Sequence, residues 1–219
     1  MRTYDQYCAA ARALDVVGDR WTLLIVRELL IQQPCRYTEL REGLPGIATN
    51  LLAERLRELE RSGIITREEA PPPVATALFR LTPRGEALRS VIEALGEWGG
   101  PLLRETPEGA AFRSHWLALP LERHLRGIAR SGPPVTIEVR TGDEPVLIET
   151  RGKDVRVRPG TAPNADATLR GSPQLILRLM SGGLDLETAC ADGLDFEGDR
   201  EALRRVQPLT EPQTAPIHE

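Results

Sequence analysis

Asn50, Glu54, Arg57 and Arg61 recur at intervals of four, three and four residues within TNLLAERLRELER, a spacing that stacks them on one face of an α-helix. An amide, a carboxylate and a guanidinium are the side-chain types that read base edges in a major groove. Asn pairs with adenine, Glu accepts from a cytosine amino group, and Arg reaches guanine or a phosphate. Ala53 is counted with the same face. Thr49 stands at the helix start, where exposed amides and a hydroxyl suit a phosphate. Arg36, Arg55 and Arg61 are the further phosphate candidates. Leu52, Leu56 and Leu59 make the opposite, apolar face, and an ordinary amphipathic surface helix would show the same division. The chemistry therefore depends on what surrounds this helix.

The spacing predicts the helix over 47–62, with Pro45 and Gly46 holding off an earlier start and Gly63 ending it in a left-handed conformation. Ahead of it, residues 4–17 read as a helix with an apolar stripe of Tyr7, Ala11, Leu14 and Val17, closed by Gly18. Asp19 suits the N-cap of a second, centrally placed helix, RWTLLIVRELL. A short third helix is expected over about 36–43, with Tyr37 and Leu40 facing inward. After Gly63 the period changes to that of strands at 64–67 and 77–81, joined by the proline-rich tip EEAPPPVAT. Thr82 then caps a long helix with Pro83 at its first position, carrying Leu88, Ile92, Leu95 and Trp98 and running to Gly99-Gly100-Pro101.

Composition narrows the function classes. A chain of 219 residues with 41% hydrophobic and 27% charged residues reads as soluble, with room for two modest domains. The formal net charge of −4 gives no global basic field, so a nucleic-acid reader must concentrate its positive charge locally. No apolar run is long enough to span a bilayer, and a cytoplasmic location without membrane partners is expected. Cys8, Cys35 and Cys190 form no CxxC pair, and His115, His124 and His218 show no metal-ligand spacing. Neither a Ser-His-Asp order nor a P-loop is present. No catalytic residue, metal or cofactor is assigned, and no enzyme activity is expected.

Beyond a polar linker at 105–109 the chain changes character. A helical stretch, AAFRSHWLALPLERHLRGIARSG, precedes four strand-like runs near 134–140, 145–150, 154–158 and 166–170. VTIEVR and VRVR alternate apolar-in, charged-out. An apolar helix follows in LRGSPQLILRLMSGG, then ETACADG and LDFEGDREALRRV, with a flexible tail expected over 207–219.

Two resemblances rest on these blocks. CAAARALDVVGDRWTLLIVRELL, RYTELREGLPGIATNLLAERLRELERSGIITRE, LFRLTPRGEAL and EWG, spread over residues 5–100, resemble the HxlR family of bacterial transcription regulators. The resemblance implies a winged helix-turn-helix, with first and last helices forming a homodimer contact, that binds double-stranded DNA at an inverted-repeat operator. Two departures stand out. Ala48 occupies a place where the family has a small hydroxyl residue, which removes a side-chain cap unless Thr49 serves. The hairpin tip also brings no cation to a minor groove. In HxlR-like regulators a first-helix cysteine sometimes senses oxidants, which makes Cys8 the redox candidate. The sequence shows neither exposure nor a depressed pKa for it, and a buried structural cysteine is the expectation.

Residues 110–206 resemble the sterol-carrier-protein (SCP2-like) fold, on the Gly-Ser-Pro turn before an apolar helix and the Phe-Glu-Gly-Asp turn before the last one. That likeness implies a curved sheet and covering helices around an apolar cavity, with Leu175, Leu179 and Met180 and, as a wall, Trp116 facing a small apolar ligand. A filled core is the default for such a stripe. The expected fold class is α+β. Residues 1–104 form a winged helix-turn-helix domain and residues 110–206 an SCP2-like α/β domain. The expected function is a dimeric, sequence-specific DNA-binding regulator modulated by an apolar ligand. Its rival is an apolar-ligand carrier that uses the winged helix as an interaction module.

Overall fold

Ile25, Leu29, Leu40, Leu52 and Leu59 each expose no more than 1% of their surface. They bury the inner faces of α2 (Thr22–Gln32), α3 (Tyr37–Glu42) and α4 (Thr49–Arg61) in the core of the first of two compact units, Met1–Ala111 and Phe112–Glu219. The computed structural model describes residues 3–70, 76–105, 109–127, 133–152 and 154–207. The centre of the hairpin tip at 71–75, most of the 105–109 linker, the end of the first helical stretch of unit two and the tail from 208 lie outside the described residues.

Around those three helices run α1 (Ala9–Val17), β1 (Cys35–Arg36), β2 (Ile65–Glu69), β3 (Ala77–Leu81), α5 (Pro83–Glu86) and α6 (Arg89–Gly99), followed by a 3₁₀ turn at Gly100–Glu105. The sheet order is β1-β3-β2, all antiparallel, with Cys35 opposite Phe79 and Ile65 opposite Leu81. This is a winged helix-turn-helix. The strand β1 escaped the sequence reading because two residues carry no period.

Three expectations need correction. The first helix begins at Ala9 rather than residue 4, because the Asp15 carboxylate accepts from the Tyr4 amide at 2.9 Å and the Thr3 hydroxyl at 3.1 Å, drawing the chain back across the helix. Its stripe is divided: Ala11 and Val17 are buried, whereas Tyr7 and Leu14 are exposed. The N-cap of α2 is Trp21, in the left-handed region at φ 79°, and Asp19 contributes only its carbonyl to Thr22 N. A bulky residue held there stores strain of order 1–3 kcal/mol. The long helix after Pro83 is two helices. At Leu88 the bonding tightens to an i→i+3 contact with the Gly85 carbonyl, 3.0 Å, which breaks the α-helical ladder. The start itself is as read, with Gly85 N donating to Thr82 Oγ1 at 3.1 Å.

Unit two opens with a 3₁₀ turn at Ser114–Leu117 and α7 (Ala118–Leu125). Its strands are β4 (Thr136–Arg140), β5 (Val146–Arg151), β6 (Asp154–Pro159), β7 (Ala167–Arg170) and β8 (Asp195–Gly198). They form a sheet of order β6-β5-β4-β7-β8, in which β4 and β7 run parallel. The Phe-Glu-Gly-Asp segment is thus mostly an edge strand, pairing with β7, rather than a turn. Helices α7, α8 (Pro173–Met180), α9 (Leu186–Ala191) and α10 (Arg200–Arg205) complete the unit; α7 packs on β6, and α10 on β4 and β7. Ser172 and Asp185 cap α8 and α9, accepting from Leu175 N and Thr188 N. Gln207, the first residue of the segment expected to be flexible, is half-buried and donates to the Leu179 carbonyl at 3.2 Å.

Glu138 overturns the apolar-in, charged-out reading of β4. It is only 2% exposed, its carboxylate accepting from Arg140 Nε at 2.5 Å and the Ala162 amide at 2.8 Å. Burial raises its pKa, but the Ala162 and Arg140 hydrogen bonds and the charges of Arg140 and Arg170 outweigh that and leave it lowered. A carboxylate whose folded pKa lies below its unfolded value contributes stability that is present above the unfolded value and is lost as pH falls through the folded one. Unit two is therefore expected to lose stability as pH falls below the ordinary glutamate value of about 4.3. Thermal melts across that range should show a shallower pH slope in Glu138→Gln than in the parent; an unchanged slope would deny Glu138 this part.

Candidate nucleic-acid interface

The helix α4 starts from Ala48, in extended conformation and with no side-chain cap; Thr49 does not take that role. The segment is anchored from the neighbouring helix, where the Tyr37 hydroxyl donates to the Thr49 carbonyl at 2.7 Å. At the other end Gly63 adopts φ 67°, letting Ile64 N reach back to the Leu59 carbonyl at 2.9 Å. The helix proper spans Thr49–Arg61, shorter than the 47–62 expected, because Ile47 belongs to the buried approach.

With Leu52, Leu56 and Leu59 turned inward and at most 3% exposed, the helical phase delivers Thr49, Asn50, Glu54, Arg57 and Arg61 to the exposed side. Ala53 is half-buried at the edge of that face. The side chains of Asn50, Glu54 and Arg57 have no hydrogen-bond or ion-pair partner among the described residues, while Arg61 Nε donates to the Arg57 carbonyl at 3.4 Å. Arg36 is exposed at the entrance to α3.

Arg55 is placed differently from the other phosphate candidates. Its guanidinium pairs with Asp19 at 2.8 Å and with Glu58, and its side chain is 14% exposed. Both partners compete with any phosphate for that charge. The pairing spans 36 residues, and no local pattern announces it.

Cys8 also departs from expectation. The buried cysteine is Cys35, 1% exposed, with its thiol pushed up to about 12 by burial and then by the charges of Glu39 and Glu28. Cys8 is exposed at the N-cap of α1. The Ala11 and then the Ala10 amides lower its thiol pKa, although neither makes a fully formed hydrogen bond.

In unit two Leu179 and Met180 are fully buried, while Leu175 and Trp116 are half-buried, Trp116 lying edge-on to Phe112 at 6.3 Å. A groove of about 550 Å³ opens elsewhere, on the polar face of the sheet, between Glu138, Arg140, Thr168, Arg170 and Glu197 and the loop bearing Thr161. None of the four apolar candidates lines it. Among the described residues no group of three His, Cys, Asp or Glu side chains could hold a metal, and no helix is long and apolar enough to cross a membrane.

Residues 16–106 match the HxlR-like helix-turn-helix family. The HTH-type transcriptional regulator YodB of Bacillus subtilis is 36% identical over 86 residues, which cover 39% of this chain and 76% of that protein. The chain belongs to the HxlR-like family. An HTH-type regulator of Synechocystis sp., sll1512, is 34% identical over 98 residues, covering 45% of this chain and 72% of the relative. The solved structure of the reduced form of YodB overlaps 47% of this chain and all of its own, at 31% identity and a TM-score of 0.40. The HxlR-like match lies in the first half of the chain; residues 128–211 match the SCP-2 sterol transfer family.

Proposed function

We propose that this HxlR-like chain is a transcriptional regulator, not an enzyme, that binds double-stranded DNA as a homodimer and reads its operator with the outward face of α4. The observation that carries the reading is that face: an amide, a carboxylate and two guanidiniums exposed at helical spacing, three of the four side chains unengaged within the described chain. Two-fold symmetry would set inverted half-sites about one helical turn, roughly 34–36 Å, apart. Residues 1–104 carry this role in the cytoplasm. Residues 110–206 serve as a sensing module for a small apolar ligand, which regulates only if it binds two arrangements of the dimer with different affinity. Titration of a defined operator duplex at rising salt tests the regulator against the carrier alternative. The regulator binds with a steep salt dependence; a protein that takes up apolar ligand but no duplex is the carrier.

A second reading is favoured by Cys8. Its exposure and its place among the first amides of α1 suit a thiol that reacts with oxidants and loosens DNA binding. Oxidant-dependent release that persists unchanged in Cys8→Ser rules this out.

A further inference from the structure

We infer that the turn Gly18–Trp21 is a second DNA-contacting element, with the Arg20 guanidinium closing on a backbone phosphate beside the groove that α4 enters. This rests on the proposed reading of α4. Both neighbours of Arg20 are fastened to the α4 segment. On one side the Asp19 carboxylate takes the Arg55 guanidinium at 2.8 Å, in the middle of the helix. On the other, the Trp21 ring lies 4.0 Å from where a Cβ on Gly46 would sit, three residues before α4 begins. The turn is thereby tied both to the approach to α4 and to the Arg55 side of the helix.

Charge then decides what the turn presents. Asp19 would repel a phosphate, and Arg55, which it shares with Glu58, offsets part of that charge. Arg20 is exposed, pairs with no carboxylate among the described residues, and lies over the Trp21 ring at 5.8 Å from the centroid. A guanidinium stacked on an aromatic face keeps its hydrogen-bonding edges outward and loses little side-chain freedom on meeting an anion. The left-handed backbone of Trp21, φ 79°, sets the ring where this stacking occurs. The same arrangement gives Arg55 its part. It contributes to binding by offsetting part of the Asp19 charge, without touching DNA.

A phosphate contact has a signature that a base contact lacks. It weakens binding equally on all sequences and lowers the salt dependence. The test is fluorescence anisotropy with the full chain on two labelled 30-bp duplexes, one carrying the selected operator and one scrambled, across a salt series. Arg20→Ala is expected to reduce the slope of log K against log salt by about 0.9 for each contact removed, with the same fold-loss on both duplexes. Arg20→Lys, which keeps the charge, should restore most of the slope. Circular dichroism melts of the variants matching the parent exclude unfolding as the cause. An unchanged slope in Arg20→Ala, with Arg57→Ala still weakened on the operator, overturns the inference and leaves the reading of α4 standing. A parent that binds neither duplex overturns both.

Discussion

Asn50→Ala and Arg57→Ala are each expected to lose roughly 5- to 150-fold in operator affinity, the equivalent of about 1–3 kcal/mol for one good base pairing, while keeping the parent's melting temperature. The two halves of that expectation come from the same geometry. Both side chains are exposed and neither has a partner among the described residues, so truncation takes nothing from the core. Surface changes of this kind alter stability by about 0.5 kcal/mol or less. The loss should be larger on the operator than on scrambled duplex for Asn50→Ala, because an amide contributes to base readout and not to the electrostatic background. Parallel titrations and thermal melts measure both quantities. If the two variants bind the operator as tightly as the parent, α4 meets the duplex by another face or not at all.

Trp98→Ala should raise the dimer dissociation constant by about 30-fold or more, the loss of about 2 kcal/mol or above that a central aromatic anchor supplies at an interface. Trp98 is 76% exposed on α6, with Leu95 beside it and Leu102 and Leu103 on the following turn also exposed. α1 contributes Leu14, and Tyr7 precedes it, both likewise exposed. So many large apolar groups on α1, on α6 and on the residues beside them are more than a soluble monomer usually leaves in water, and no residue of α6 is buried within the described chain itself. A second copy is the partner that the family resemblance implies. Sedimentation velocity over a concentration series reads the constant directly. A Trp98→Ala protein that remains as dimeric as the parent would remove α6 from the interface.

That apolar surface also explains where the sequence misled. Tyr7 and Leu14 sit at the spacing of a buried stripe, and a stripe meant for a partner looks the same as one meant for the chain's own core. Cys8, expected to be a buried structural cysteine because the sequence carries no sign of its exposure, is exposed. The face of α4 was legible because its leucines and polar residues alternate within thirteen residues, so phase alone separates them. Thr82-Pro83 and Ser172-Pro173 were legible as helix starts, since the capping chemistry lies in adjacent residues. The strands β4 to β7 were legible as short runs parted by Gly, Asp and Pro turn signals, with alternation in β4 and β6, but the burial of Glu138 was not. It depends on a loop 24 residues away whose Ala162 amide satisfies the carboxylate. Arg55 and Arg20 share that difficulty. Arg55 is taken up by Asp19 and Glu58 whereas Arg20 pairs with no carboxylate among the described residues, and only the fold brings Asp19 to α4.

Selection of genomic DNA fragments on the purified chain decides whether α4 reads a duplex. A DNA-reading α4 in a two-fold dimer enriches a common motif with two-fold symmetry, its half-sites about one helical turn apart, and Asn50→Ala abolishes that enrichment. Recovery of fragments no different from the input, or of a motif that Asn50→Ala enriches as well as the parent does, would contradict it.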